Sequence, residues 1–343
     1  MTIPVPPRIV RRVICHPLQI VLGVAALLVL SIATGIAFVI QLPGRRRRLV
    51  RVLAMLTATV LADLTIILGA WRLWCAHRVR RRRAETWEHD HVELIGRTLH
   101  RVVRVAERVA GLRLVVTIDP QLPDEPAPLL VLSRHAGLGD SPLIAYLLTH
   151  ELGRVPRVLL KRFLLWDAAV DLVLGRLGAY FLPPQRVSPE ERDARLREFA
   201  DQSRDRDALL LFPEGRNWTP HRWRAQLAEC SGAEADWIRA HPAVLPPRAG
   251  GASRVLELRP DVCTAVAAQR GLDPLHSVRS IWAHLPLREP VEVTVRRADP
   301  PAPGDVEPWL FDMWGCIDDW TRARRPATDG LASDDPTGAV FPA

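Results

Sequence analysis

"LLVLSRHAGLGDSP", residues 129–142, opens with five residues that carry no helical period and ends in a glycine-punctuated polar loop. A short, continuous apolar run of this kind, stopped by turn residues, is the pattern of a strand buried on both faces. Working outward, "LRLVVTI" (112–118), "RVLLK" (157–161), "AYFL" (179–182), "ALLLF" (208–212), "AVLP" (243–246) and "VEVTV" (291–295) read as further strands, with helical stretches between many of them. Alternating strands and helices predict an α/β fold, a mixed sheet covered by helices. Between Glu93 and Ala110, Leu99, Val102, Val103, Ala106, Val109 and Ala110 fall at helical spacing with arginines opposite, and Gly111 marks the stop. Ser188, Pro189 and Glu191 form a capping box that starts another helix.

The charge is unevenly spread. Of the 343 residues, the first 83 hold 14 of the 46 basic residues and one acid, Asp63, whereas the other 260 carry 32 basic and 37 acidic residues. The basic end is also the most apolar. That combination fits anionic lipid headgroups and not nucleic acid. Leu18 to Leu42 has no charge and would make about 37 Å of helix, enough for a hydrocarbon core of about 30 Å. It is longer than the apolar region of a signal peptide and has no A-x-A site after it. Val52 to Trp71 is a second apolar stretch, with Asp63 near its middle. Arginine clusters follow both stretches, at 45–48 and at 78 and 80–83. Two full crossings cannot put both clusters on the cytoplasmic side; one crossing with an interfacial helix can, and so can a re-entrant pair. The expected organisation is a membrane anchor over 1–83, an α/β domain over 84–325 facing the cytoplasm at the cell membrane, and a disordered tail over 326–343. The five cysteines are scattered without a C-x-x-C pair, so neither a disulfide framework nor a metal site is expected.

Two strands lead into polar loops with glycines, "LLVLS-RHAGLGD" and "ALLLF-PEGRN", and the crevice beyond the carboxyl ends of strands is where α/β folds build sites. On a helix, His135 and Asp140 would not share a face. The glycines at 137 and 139 let the chain turn back, so that the Asp140 carboxylate can fix the His135 tautomer and support an imidazolium, which prepares a general base. A lone H-x-x-x-x-D is a weak signal; with F-P-E-G after a later strand, His135 and Glu214 lying 79 positions apart, it becomes specific.

In these residues the chain resembles the glycerophospholipid acyltransferase family, which includes 1-acylglycerol-3-phosphate acyltransferases, over about residues 93–320. The family's N-H-x-x-x-x-D is matched by Arg134, His135 and Asp140, and its F-P-E-G-T-R by Phe212, Pro213, Glu214, Gly215, Arg216 and Asn217. "VLPPRAGG", with Pro246, Pro247 and Arg248, is similar to its later proline motif, in the form closest to lysocardiolipin acyltransferases, and "WLFDMWGCIDDW" to its late Trp-rich helix. The resemblance implies an O-acyltransferase that moves an acyl chain from acyl-CoA or acyl carrier protein to a lysophospholipid hydroxyl at an anionic membrane surface, without a further cofactor. Lysophosphatidic acid is the modal acceptor; another lysophospholipid or a glycolipid stays open. It further implies His135 as base, Asp140 as its holder, and Glu214, Gly215 and Arg216 as binders of the glycerol-phosphate head, Glu214 through a hydroxyl or a neighbouring arginine. Lys161 is a candidate phosphate contact, Arg248 a candidate substrate-binding residue whose alternative is to satisfy loop carbonyls, and amides near 137–139 are candidate oxyanion donors. Two departures bear on the acceptor: Pro183 and Pro184 stand where the family's second motif has an arginine, the nearest being Arg186, and the third motif's arginine comes one position early.

Two rival readings remain. "GDS" at 139–141 and "DPLH" at 273–276 resemble the ends of a G-D-S-type lipase with Ser141, Asp273 and His276. Against it, Ser141 before Pro142 has the pattern of an N-cap followed by proline at the first helical position. A non-catalytic acyl-thioester binding scaffold is the other.

Overall fold

The computed structural model describes residues 4–41, 47–80, 84–122, 124–137, 139–182, 188–302 and 304–323. Arg186 and the tail expected from 326 onward lie outside the described residues.

Seven strands, β1 (Leu114–Ile118), β2 (Leu129–Ser133), β3 (Val155–Lys161), β4 (Tyr180–Leu182), β5 (Asp207–Leu211), β6 (Cys263–Arg270) and β7 (Val291–Arg297), form one sheet in the order β1-β7-β6-β2-β5-β3-β4. Every neighbouring pair is parallel except β6 with β7, so the sheet is mixed. The central strands are apolar throughout because both faces are covered. Leu129 and Val131 of β2 point into one buried cluster together with Ala208 and Leu210 of β5. Leu130 and Leu132 point into the opposite cluster with Leu209 and Leu211. Fully burying one such leucine contributes about 1.5–3 kcal/mol.

The first layer is built by α4 (Ala84–Ala110), which contributes Leu99 and Val103, and by α5 (Asp140–Tyr146) with the wider turn that follows it. The second is built by α6 (Pro189–Asp201), α9 (Gly250–Leu258) and α11 (Val306–Arg322), whose Trp314 is fully buried. The cap of α6 is as the sequence indicates, the Ser188 hydroxyl accepting from the Glu191 amide at 3.2 Å.

Two readings of the sequence are corrected. Residues 243–246 are not a strand: the Ala243 amide donates to Asp318 Oδ1 (2.6 Å) and the Leu245 amide to Glu214 Oε2 (3.4 Å), so carboxylates take the bonds a ladder would need. Nor is Ser141 an N-cap. Gly139 precedes the helix, which begins at Asp140.

At the N-terminus, α1 (Arg8–Val10) runs through a wider turn into α2 (His16–Ile40), and α3 (Arg48–Arg80) follows. Arg8–Ile40 and Arg48–Val79 are each long and apolar enough to cross a membrane. They are also fastened to the sheet domain. Ile67 and Ala70 of α3 share a buried cluster with Val92 and Ile95 of α4 and with Leu172. Arg11 and His16 bond Asp171, Gln19 bonds the Trp166 carbonyl and the Ala168 amide, and Arg48 bonds the Leu285 carbonyl. The outer face of α2 stays bare, with Val21, Leu28, Val29, Ile32 and Val39 exposed.

Candidate active site

The two polar loops leave the sheet side by side, because β2 pairs with β5 through Leu132 and Leu211, two positions before each loop. They are then stitched together. The Trp218 amide donates to the His135 carbonyl at 2.6 Å, and the His135 amide donates to Glu214 Oε1 at 3.2 Å. This fixes the backbone of His135 from both sides and leaves its ring to project into a cavity of about 980 Å³. The imidazole packs on the Phe212 ring, with centroids 4.6 Å apart.

Asp140 reaches His135 as the sequence spacing requires. Its Oδ2 lies 3.6 Å from His135 Nδ1, an electrostatic contact slightly longer than a hydrogen bond, and also accepts from the Ala136 amide. The chain reversal between them depends on Gly137, whose φ is +100° and whose missing Cβ would stand 2.8 Å from the Leu272 carbonyl oxygen. Gly139 sits at an ordinary φ of −91°. Asp140 is fully buried. Burial pushes its carboxyl above the usual range, opposed by His135, Gln269, Arg134 and the Ala136 amide. Of the loop amides, that of Ala136 is thus spent on Asp140.

Glu214 points inward, with Arg134 as a neighbouring charge, and not at the cavity. Its side chain is buried, and both oxygens accept from within the protein: Oε1 from the His135 amide and from Trp314 Nε1 (3.3 Å), Oε2 from the Leu245 amide. It braces the loop of His135 and is not part of the cavity wall. Burial pushes its carboxyl up to about 8, against the pull of Arg134 and the three N–H donors. The sign of the linked stability follows. Between the ordinary value of 4.5 and about 8 the folded protein keeps a proton that the unfolded chain releases, so stability falls as pH rises through that window. Denaturant midpoints of the detergent-solubilised protein should therefore decline across it, and Glu214→Gln should flatten the decline. Equal slopes for both proteins would contradict this.

Gly215, at φ +68°, turns the loop so that Arg216 and Asn217 reach the cavity, and the Arg248 amide donates to the Pro213 carbonyl at 3.0 Å. Lys161 at the end of β3, Gly215, Arg216 and Arg248 all line the same cavity as His135. Among the described residues, Lys161, Arg216 and Arg248 meet no carboxylate, whereas Arg254 in the same wall pairs with Asp193 and Glu257. Part of the wall is apolar, formed by Leu159, Leu160, Leu164, Leu196, Leu211 and Phe212. A base, a set of uncompensated cations and a greasy wall suit an amphiphilic anion.

Arg134, Trp218, Gln269 and Trp314 hold the site in ways the sequence reading missed. Arg134, fully buried, donates to the Gln269 carbonyl (2.8 Å), to the Ala243 carbonyl (2.6 Å) and to Asp273. Asp273 is thereby taken out of the lipase constellation, and among the described residues His276 bonds only the Asp273 carbonyl, at 3.2 Å. No hydrogen bond joins Ser141 to His276 among the described residues.

Residues 113–266 match the family model described as Acyltransferase. In that region the chain is similar to acyltransferases, which supports the resemblance carried by the motifs around His135, Asp140 and Glu214. The fold is similar to the crystal structure of the 1-acyl-sn-glycerophosphate (LPA) acyltransferase PlsC from Thermotoga maritima, with a TM-score of 0.54 and 13% sequence identity over 81% of this chain and 100% of that one. No curated protein matches the chain by sequence.

Proposed function

We propose that the protein transfers a fatty acyl chain from acyl-CoA or acyl carrier protein to the free hydroxyl of a lysophospholipid, with 1-acyl-sn-glycerol-3-phosphate as acceptor and phosphatidic acid as product. The observation that carries this is His135, turned into a cavity where Lys161, Arg216, Arg222 and Arg248 meet no carboxylate among the described residues, and backed by a buried carboxylate 3.6 Å from its Nδ1. Since Nδ1 faces Asp140, the other ring nitrogen, Nε2, takes the acceptor's hydroxyl proton. The acceptor oxygen attacks the thioester carbonyl, the tetrahedral adduct collapses with loss of the C–S bond, and the thiolate recovers the proton from the imidazolium. A thiolate leaves readily, so no acyl-enzyme is needed.

The anchor supports a site at the bilayer surface on the cytoplasmic side, where acyl thioesters are available. With α3 clamped along α4, whose other face carries Arg97, Arg101, Arg104 and Arg108, a hairpin embedded in one leaflet keeps those arginines in water. The direct test is incubation of the purified full-length chain with labelled acyl-CoA or acyl carrier protein and a panel of lysophospholipids. Label is expected in phosphatidic acid. Label in another phospholipid or a glycolipid would reassign the acceptor, and label in none would make the chain an acyl-thioester binding scaffold.

A further inference from the structure

Six cationic side chains line the cavity that holds His135, and they differ in what neutralises them. Arg254 bonds Asp193 and Glu257, and Arg195 bonds Glu191. Lys161, Arg216 and Arg248 stand as described above. The sixth, Arg222, is different again: it is held firmly, but only by neutral acceptors. One terminal nitrogen, Nη1, donates to the Asn217 main-chain carbonyl at 3.0 Å and to the Asn217 side-chain oxygen. Its Nε and its other terminal nitrogen meet no acceptor among the described residues.

The local sequence explains how Arg222 gets there. Thr219 caps α7 (Pro220–Glu229), its hydroxyl accepting from the Arg222 amide at 3.2 Å, and Pro220 takes the first helical position. Arg222 thus lies on the first turn, and its side chain folds back to the loop at Asn217. Asn217 gives the guanidinium two oxygens and no negative charge. An arginine whose position is fixed and whose charge is uncompensated is preorganised for an oxyanion, since the ordering cost is met before the ligand arrives.

We propose that Arg222, oriented by Asn217, is a ligand of a substrate phosphate group in this cavity. This rests on the acyl-transfer reading, in which both acceptor and donor carry phosphate, and the test separates the two sources. Arg222→Gln keeps the helix cap, because the cap uses the main-chain amide. It is expected to raise the KM for one phosphate-bearing substrate about 10- to 100-fold with kcat within about twofold, as loss of a charge-assisted hydrogen bond predicts. A rise for 1-acyl-glycerol-3-phosphate with unchanged KM for acyl-CoA assigns the acceptor; the reverse assigns the donor. Arg222→Lys should recover part of the loss, and Asn217→Ala should weaken the same substrate to a smaller degree. Thermal melting of each variant separates these effects from misfolding. Calorimetric titration with a short-chain lysophosphatidate and with CoA gives a readout independent of turnover, so a chain that transfers no acyl group still tests Arg222. Wild-type affinity for both ligands in Arg222→Gln would overturn the inference and leave the acyl-transfer reading standing.

Discussion

His135→Ala is expected to lower acyl transfer about 10²- to 10⁴-fold, the usual contribution of a positioned general base, while the protein stays folded. The imidazole takes no part in the hydrogen bonds that hold its loop to Glu214 and Trp218. Its main chain carries the bonds to Glu214 and Trp218, while the side chain packs on Phe212 and faces Asp140. Removing it therefore takes away the proton acceptor and leaves the cavity and its cations in place. The acyl-donor Kd should be unchanged. Asp140→Asn should fall in the same range, because an amide cannot stabilise the imidazolium, but with some loss of stability, since Asp140 also accepts from the Ala136 amide. Single-turnover rates with labelled acyl-CoA would measure both variants. Ser141→Ala serves as the control: it should keep its rate, and inactivity of that variant alongside an active His135→Ala would restore the hydrolase reading.

The sequence revealed those parts of the site whose signal is local. β2 and β5 are legible because strands covered on both faces must be apolar throughout, and their two glycine loops carry His135, Asp140 and Arg216, the residues proposed to act. β6 was missed. Its run Ala265 to Ala268 contains three alanines, residues with high helix propensity, and it becomes a strand only because β2 and β7 lie on either side to supply the ladder. Residues 243–246 failed in the opposite direction: locally they look extended, yet their amides are claimed by Glu214 and by Asp318, 31 and 75 positions away. The role of Glu214 was obscured for the same reason, as nothing in F-P-E-G says that the carboxylate points inward. Arg222 sits five positions beyond Asn217, and only the helix start at Pro220 brings it back to the cavity. Non-local hydrogen bonding, more than any misjudged propensity, limited the reading.

Arg134→Ala should cost about 3–5 kcal/mol, the range for breaking a buried ion pair by removing one partner. That is a large share of the about 5–15 kcal/mol that holds an ordinary domain together. The guanidinium is fully buried at the end of β2, immediately before His135, and joins three separate segments through Asp273 and the carbonyls of Ala243 and Gln269. It also lies over the Trp218 ring, at 5.9 Å. Burial alone would disfavour its charge, but Asp273, Glu214 and Asp140 outweigh that and hold it protonated. Alanine would leave Asp273 without its counter-ion, two carbonyls without donors and a void the size of the side chain. Arg134→Lys keeps the charge but not the planar fork, and one ammonium cannot replace bonds made by three nitrogens, so an intermediate loss is expected. The sharper comparison is the double variant Arg134→Met with Asp273→Leu. If the penalty comes from uncompensated polar groups, removing both charges should recover part of the stability lost in Arg134→Ala, read as the midpoint of denaturant unfolding. Additive losses in the double variant would mean that the pair is not coupled and that volume alone sets the cost. Because His135 follows Arg134 directly, any variant that loosens this anchor should also slow the proposed acyl transfer without altering the cations of the cavity, which separates an effect on the loop from an effect on the cavity.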